Sequence, residues 1–123
     1  MKELEALYEL VKLLRRECPW DREQTFESMV PNVEAEAREC SGAVAKADWG
    51  NLSEEIGDTL FNLLFLCNLA EEKGLFTLAG ALEGVRLKMI RRHPHVFGEV
   101  RASTPEEALQ AFLEAKKREG KGA

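Results

Sequence analysis

The sequence LSEEIGDTLFNLLFLCNLAEE, residues 52–72, predicts the most apolar helix of the chain. Its middle is apolar on every side of a helix, which is typical of a helix buried in a bundle or at a subunit interface. Three polar residues interrupt it along one narrow line: Glu55, Asp58 and Asn62. Burying an unpaired polar group costs about 2–7 kcal/mol, so this line needs partners. A bound ion would be such a partner.

The segment before it, residues 27–47, predicts a second helix with an apolar stripe. Glu36 lies at the border of that stripe and Glu39 just beyond it, so both carboxylates share one face, as Glu55 and Asp58 do on the next helix. Two such faces turned toward each other would form a cage of four carboxylates, a ligand set suited to Mg²⁺. The alternative is that each pair is a solvated acidic face. A di-iron site is disfavoured because its ExxH half is absent.

The remaining segments also predict helices, and no stretch shows the alternation of a strand. An amphipathic helix is expected at 2–17 and ends before Pro19, and Asn51 is expected to cap the helix at 52–72. A fourth helix should run from Leu78 to just before Pro94, and Thr104 should cap the last one. We therefore predict an all-α bundle of four to five helices forming one domain, 1–123. Its parts are a first helix at 1–17, a substrate loop at 18–26, acidic and basic helices at 27–117, and a frayed tail at 118–123.

Composition bounds the class of protein. With 123 residues, 45% hydrophobic and 32% charged, the chain fits one soluble helical domain. A net charge of -5 gives no electrostatic case for nucleic-acid binding. Three well-separated cysteines without a CxxC pair suggest free thiols in a reducing cytosol. We expect no signal peptide, because charges run through the start of the chain. The longest apolar run, 60–70, is too short to cross a membrane. We therefore expect a cytoplasmic protein without a nucleic-acid or membrane partner.

Two further motifs flank the acidic helices: CPWDREQT at 18–25 and RRHPHVF at 91–97. Together with the acidic residues, they resemble the MazG nucleoside triphosphate pyrophosphohydrolase family, from about residue 10 to residue 117. The resemblance implies an all-α enzyme that depends on Mg²⁺, or on Mn²⁺ in its place. It implies hydrolysis of nucleoside triphosphates to the monophosphate and pyrophosphate. It also implies a homo-oligomer, a dimer or a dimer of dimers, whose association completes the bundle.

The family's acidic pattern, EExxE followed after a gap by ExxD, departs from this chain at one position. The first glutamate is replaced by Ala35, and an extra acid, Glu34, stands beside it. The residues that correspond to the family's metal ligands are all present: Glu36, Glu39, Glu55 and Asp58. The departure therefore concerns support of the ligands or base catalysis more than metal binding.

The resemblance also implies a phosphate site and a pocket. Lys88 and Arg92 resemble the family's phosphate-binding Lys-x-x-x-Arg, and with the four acidic residues they complete the predicted catalytic set. The loop at 18–25 offers a stacking face and polar groups for a base or ribose. The predicted substrate-binding residues are Trp20, Asp21, Gln24, Thr25, Asn62, Lys88, Arg92, Phe112 and Lys116. Phe26 and Leu66 stand where related sequences often carry histidine.

No Ser-His or Cys-His pair is visible, so we expect direct attack by water, with Glu39 as the candidate general base. His93 and His95 flank Pro94 outside any ligand spacing, and we expect them to close a helix. Two alternatives stay open. In the first, the chain is a helical oligomer that binds nucleotide or metal but is catalytically weakened. In the second, it has an activity of the dUTPase, dCTPase or phosphoribosyl-ATP pyrophosphohydrolase type.

Overall fold

The computed structural model describes residues 1–122, with side chains through Gly120. Every regular element in this range is an α-helix, which confirms the all-α prediction. The helices are α1 (Lys2–Glu17), α2 (Pro19–Arg22), α3 (Phe26–Ala45), α4 (Trp49–Glu72), α5 (Leu78–Arg91), α6 (Pro94–Phe97) and α7 (Pro105–Gly122). The two shortest, α2 and α6, are single turns of four residues. No described helix has the length and apolar character needed to cross a membrane.

The chain divides into two compact units, the first spanning Met1–Leu78 and the second beginning at Ala79. In the first unit, α1, α3 and α4 share one hydrophobic core. Its buried members are Tyr8, Val11, Met29, Leu64, Phe65 and Leu69. Ile56, Leu60 and Leu63 stay 42–47% exposed, so burial covers only one side of the helix that the sequence shows as apolar all round. The single domain at 1–123 and the dimerisation stay predictions.

A tight turn joins α3 to α4 and corrects two predicted boundaries. Ala47 adopts a left-handed conformation, with φ 52°. The amide of Asp48 donates to the carbonyl of Ala43 (3.0 Å) and that of Ala47 to Val44 (3.0 Å). These two bonds define a Schellman motif, so α3 ends at Ala45 rather than 47. The Asp48 carboxylate accepts from the amide of Asn51 (3.1 Å), so α4 begins at Trp49 and Asp48 replaces the predicted cap Asn51.

The segment at 18–26, predicted as a loop, contains a helical turn. Pro19 occupies the first position of α2, where its missing N–H removes no helical hydrogen bond. Thr25 is extended and caps α3 through a reciprocal pair of bonds with Ser28, which makes Phe26 the first residue of α3. The loop is therefore shorter and more structured than predicted.

The second unit contains α6, α7 and all of α5 after Leu78. Pro94 begins α6, a turn that the sequence did not predict, and α6 packs on α7. The predicted cap Thr104 is present, its hydroxyl accepting from the amide of Glu107 (3.1 Å). Whereas a frayed tail was predicted at 118–123, α7 continues through Gly122. Ala123 lies outside the described residues.

Candidate functional site

The hairpin of α3 and α4 brings three of the four predicted carboxylates together. Glu36, Glu39 and Glu55 each offer one oxygen, and these oxygens all lie within 4.8 Å of one another. We call these three residues the acidic cluster. Asp58 is exposed and does not belong to it, although it follows Glu55 by three residues on α4.

The acidic cluster is partly withdrawn from water. One oxygen of Glu36 (Oε2) and one of Glu55 (Oε2) are buried and accept no hydrogen bond. The carboxyls of Glu36 and Glu39 lie close enough to accept a hydrogen bond from Glu55 once Glu55 is protonated. Together with burial and the charges of both neighbours, this raises the pKa of Glu55 from 4.5 to about 8. Carboxylate oxygens are ligands that hard divalent cations prefer, and a bound cation would give these two buried oxygens the partner that they lack. The donor set therefore fits the metal that the family resemblance implies.

An open groove of about 690 Å³ borders the acidic cluster. It is lined by Ala35, Arg38, Glu39, Gly42, Ala43, Lys46, Asn51 and Glu55. Ala35, which replaces the family's first glutamate, therefore faces the space beside the cluster. Arg38 and Lys46 add two cations that form no ion pair among the described residues. The sequence analysis missed both, although their spacing with Gly42 at every fourth position marks one face of α3.

A guanidinium group holds the segment that carries CPWD. Nη1 of Arg15 donates to the carbonyls of Asp21 (2.6 Å), Arg22 (2.9 Å) and Gln24 (3.0 Å). Its Nε and Nη2 bind both oxygens of Glu72 (2.9 and 3.1 Å). Arg15 therefore ties α1, α4 and this segment together within the first unit. Sequence reasoning missed it because nothing in the spacing marks an arginine that binds carbonyl oxygens.

The predicted pocket residues of the first unit differ in their surroundings. Trp20 is 58% exposed and therefore available for stacking, whereas Asp21 is only 7% exposed. The amide of Gln24 donates to the carbonyl of Trp20 (2.8 Å) and its oxygen accepts from Ser28 (2.8 Å), while Thr25 caps α3. Asn62 is buried and donates to the backbone carbonyl of Asp58 (2.9 Å). Except for Trp20, these side chains are buried or bonded to their own segment, and their substrate contacts stay predictions.

The predicted basic residues lie in the second unit. Lys88 lies in the last turn of α5, Arg92 directly follows that helix, and Lys116 is exposed on α7. The guanidinium carbon of Arg92 lies 5.7 Å from the ring centroid of Phe112, so the structure brings these two predicted residues together. Arg92 also donates to Glu119, a residue that the sequence analysis did not single out.

A family model described as the MazG nucleotide pyrophosphohydrolase domain matches residues 24–97. The chain belongs to the MazG family. The matched range includes the acidic cluster, Asp58, Lys88 and Arg92 but begins after Trp20 and Asp21 and ends before Phe112. This membership confirms the resemblance inferred from the motifs.

Relatives extend the MazG assignment over nearly the whole chain. The nucleoside triphosphate pyrophosphohydrolase of Escherichia coli strain K12 is 34% identical over 122 residues, 97% of this chain and 46% of that protein. The nucleoside triphosphate pyrophosphohydrolase/pyrophosphatase MazG of Thermotoga maritima is 38% identical over 105 residues, 80% of this chain and 41% of that protein. The chain thus spans less than half the length of these relatives. The crystal structure of a mazG-related protein from Thermotoga maritima superposes with a TM-score of 0.78 at 34% identity, covering 92% of this chain and 98% of that one.

Proposed function

We propose that this chain hydrolyses nucleoside triphosphates to nucleoside monophosphate and pyrophosphate in a reaction that depends on Mg²⁺, or on Mn²⁺ in its place. The observation that carries the proposal is the acidic cluster, in which two buried carboxylate oxygens lack any donor. It occurs in a MazG family chain whose curated relatives from two bacteria are named nucleoside triphosphate pyrophosphohydrolases.

Glu36, Glu39 and Glu55 would hold the divalent cation, and Asp58, three residues after Glu55, is proposed as a fourth ligand. When bound, a divalent cation neutralises phosphate charge and polarises the phosphorus toward attack. The proposal therefore predicts that the cluster has little activity of its own without the ion.

The chain's own residues have distinct roles in the proposal. Glu39 is the exposed member of the cluster and accepts a proton from the attacking water. Lys88, Arg92 and Lys116 neutralise the negative charge of the triphosphate and of the departing pyrophosphate. Trp20 offers its exposed ring to the base. Cytoplasmic location and assembly as a dimer or a dimer of dimers belong to the same proposal, and light scattering on the purified chain tests the assembly.

The decisive assay is pyrophosphate release from a panel of nucleoside triphosphates, with Mg²⁺ and with a chelator. We expect Glu36→Gln and Glu55→Gln to abolish release while the helical circular dichroism signal is kept. Glu34→Gln is the matched control, because Glu34 is an exposed acid on the same helix but outside the cluster. Asp58→Asn tests the fourth ligand and should also reduce release. Release that survives the loss of both cluster glutamates would refute the proposal.

Ala35 favours one second candidate, a binding module that holds metal and nucleotide without turnover. Ala35 lines the groove beside Glu39, so the carboxylate that the family's first glutamate would place there is missing. This candidate predicts nucleotide binding without pyrophosphate release. Ala35→Glu should then restore release, whereas in an active enzyme it should only change the rate.

A further inference from the structure

One carboxylate in the second unit joins two consecutive arginines. Nε of Arg91 donates to one oxygen of Glu119 (2.8 Å) and Nε of Arg92 donates to the other (2.8 Å). The Glu119 side chain is 25% exposed, that of Arg92 18% and that of Arg91 57%. The two guanidinium groups lower the pKa of Glu119, with the hydrogen bond from Arg92 as the largest cause. Glu119 is therefore a charged acceptor at neutral pH.

Most of the donors of the two arginines have no partner among residues 1–120, the part of the chain whose side chains the structure describes. A guanidinium has five N–H donors, and within that range only the Nε–H of each arginine is used. The terminal nitrogens of both arginines therefore remain available to an anion. Two positive charges against one carboxylate also leave a positive excess.

The plane of Arg92 is restrained by aromatic packing. Its guanidinium carbon lies 5.7 Å from the Phe112 centroid, and the Phe112 and His93 rings form a T-shaped pair with their centroids 5.6 Å apart. A guanidinium held by a carboxylate on one side and a ring on another loses little freedom when it binds an anion.

From this geometry we propose that Arg91 joins Arg92 in one binding site for the diphosphate end of the substrate, and that Glu119 is the positioning residue for both arginines. The proposal rests on the proposed function for the identity of the anion. The predicted phosphate site contained Lys88 and Arg92. The present proposal adds Arg91 as a ligand of the anion and Glu119 as the residue that positions the two arginines. Paired guanidinium groups suit phosphate oxygens because each can form two parallel hydrogen bonds.

A competing role for Glu119 has the opposite consequence. If Glu119 acted as an internal competitor for the arginines, its removal would strengthen anion binding. If it positions them, its removal weakens binding, because two long side chains must then be ordered by the ligand itself.

The test is calorimetric titration of the full chain with inorganic pyrophosphate. We expect Glu119→Ala to weaken binding by about 5–10-fold, from the ordering of two side chains, and Arg91→Ala to weaken it by a similar factor. Glu119→Gln keeps one acceptor oxygen and should recover part of the affinity. Glu83→Ala is the matched control, because Glu83 also pairs with an arginine on α5, Arg86. It should leave pyrophosphate binding unchanged.

The outcomes separate this inference from the proposed function. Unchanged or tighter pyrophosphate binding in Glu119→Ala overturns the positioning role, and unchanged binding in Arg91→Ala overturns its place in the site. If the unmutated chain does not bind pyrophosphate, both the positioning role of Glu119 and the place of Arg91 in the site are overturned. If the variants weaken binding as expected but no nucleoside triphosphate is hydrolysed, the proposed function fails and the anion site stands. Equal thermal stability of Glu119→Ala and Glu83→Ala excludes unfolding as the cause.

Discussion

Two helix ends in the first unit use the same backbone conformation with different residues. At the end of α3 the left-handed position is Ala47, with φ 52°, and at the end of α4 it is Gly74, with φ 67°. Both ends show the hydrogen-bond pattern of a Schellman motif, since Leu75 donates to Ala70 (2.9 Å) as Asp48 does to Ala43 (3.0 Å). Replacing Ala47 by glycine therefore measures the strain in the turn between α3 and α4, and replacing Gly74 by alanine gives the reverse comparison at the end of α4.

The magnitude follows from two opposing terms. A non-glycine residue in the left-handed region costs about 1–2 kcal/mol. Glycine costs about 0.4–1 kcal/mol more than alanine in lost freedom of the unfolded chain. The difference predicts that Ala47→Gly raises the free energy of unfolding by about 0.5–1 kcal/mol and that Gly74→Ala lowers it by about the same amount. A Cβ at Gly74 would meet nothing within 4 Å, so no steric clash adds to the second value.

Urea denaturation followed by circular dichroism measures both variants. We expect the midpoint to shift in opposite directions with an unchanged m value, and Tm to move by about 2–5 °C each way. The double variant should return close to the parent, because the two turns share no hydrogen bond. A destabilising Ala47→Gly would refute the strain at this turn.

Three further predictions concern the site and its support. Because Glu55 has a pKa of about 8 in the folded protein against 4.5 ordinarily, Mg²⁺ must displace a proton below pH 8. The affinity for Mg²⁺ measured by calorimetry should fall about tenfold for each pH unit between pH 8 and pH 6, and an affinity that does not change with pH would contradict this. The metal-free protein should lose stability as pH rises from about 4.5 to 8, because the folded state holds the Glu55 proton more tightly than the unfolded state does. Arg15→Lys should destabilise the chain by about 1–3 kcal/mol in urea, because lysine cannot serve three carbonyls and Glu72 together. Trp20→Ala should raise KM with little change in kcat, since this ring is exposed; an unchanged KM would make Trp20 merely structural.

The long helices and their ends could be predicted from local rules. Apolar periodicity predicts α1 with its bounds and the centre of α4. Pro19 marks the end of α1, Gly74 the end of α4 and Thr104 the start of α7. The single turns α2 and α6 were missed because four residues are too few to show a period. The start of α4 was misplaced because Asp48 and Asn51 are both good caps, and only the Schellman turn before them selects Asp48.

The helical class and the faces on which the acidic residues lie could be predicted from the sequence because each depends on spacing within one segment, and the MazG resemblance because its motifs are contiguous runs of residues. The convergence of Glu36, Glu39 and Glu55, with Asp58 outside the cluster, became visible only in the folded chain. Only the folded chain also shows that Arg15 binds three carbonyls and that Glu119 joins Arg91 to Arg92. These contacts join residues from different helices or loops. They depend on how far each side chain reaches across a packed interface, which no spacing along a single segment records.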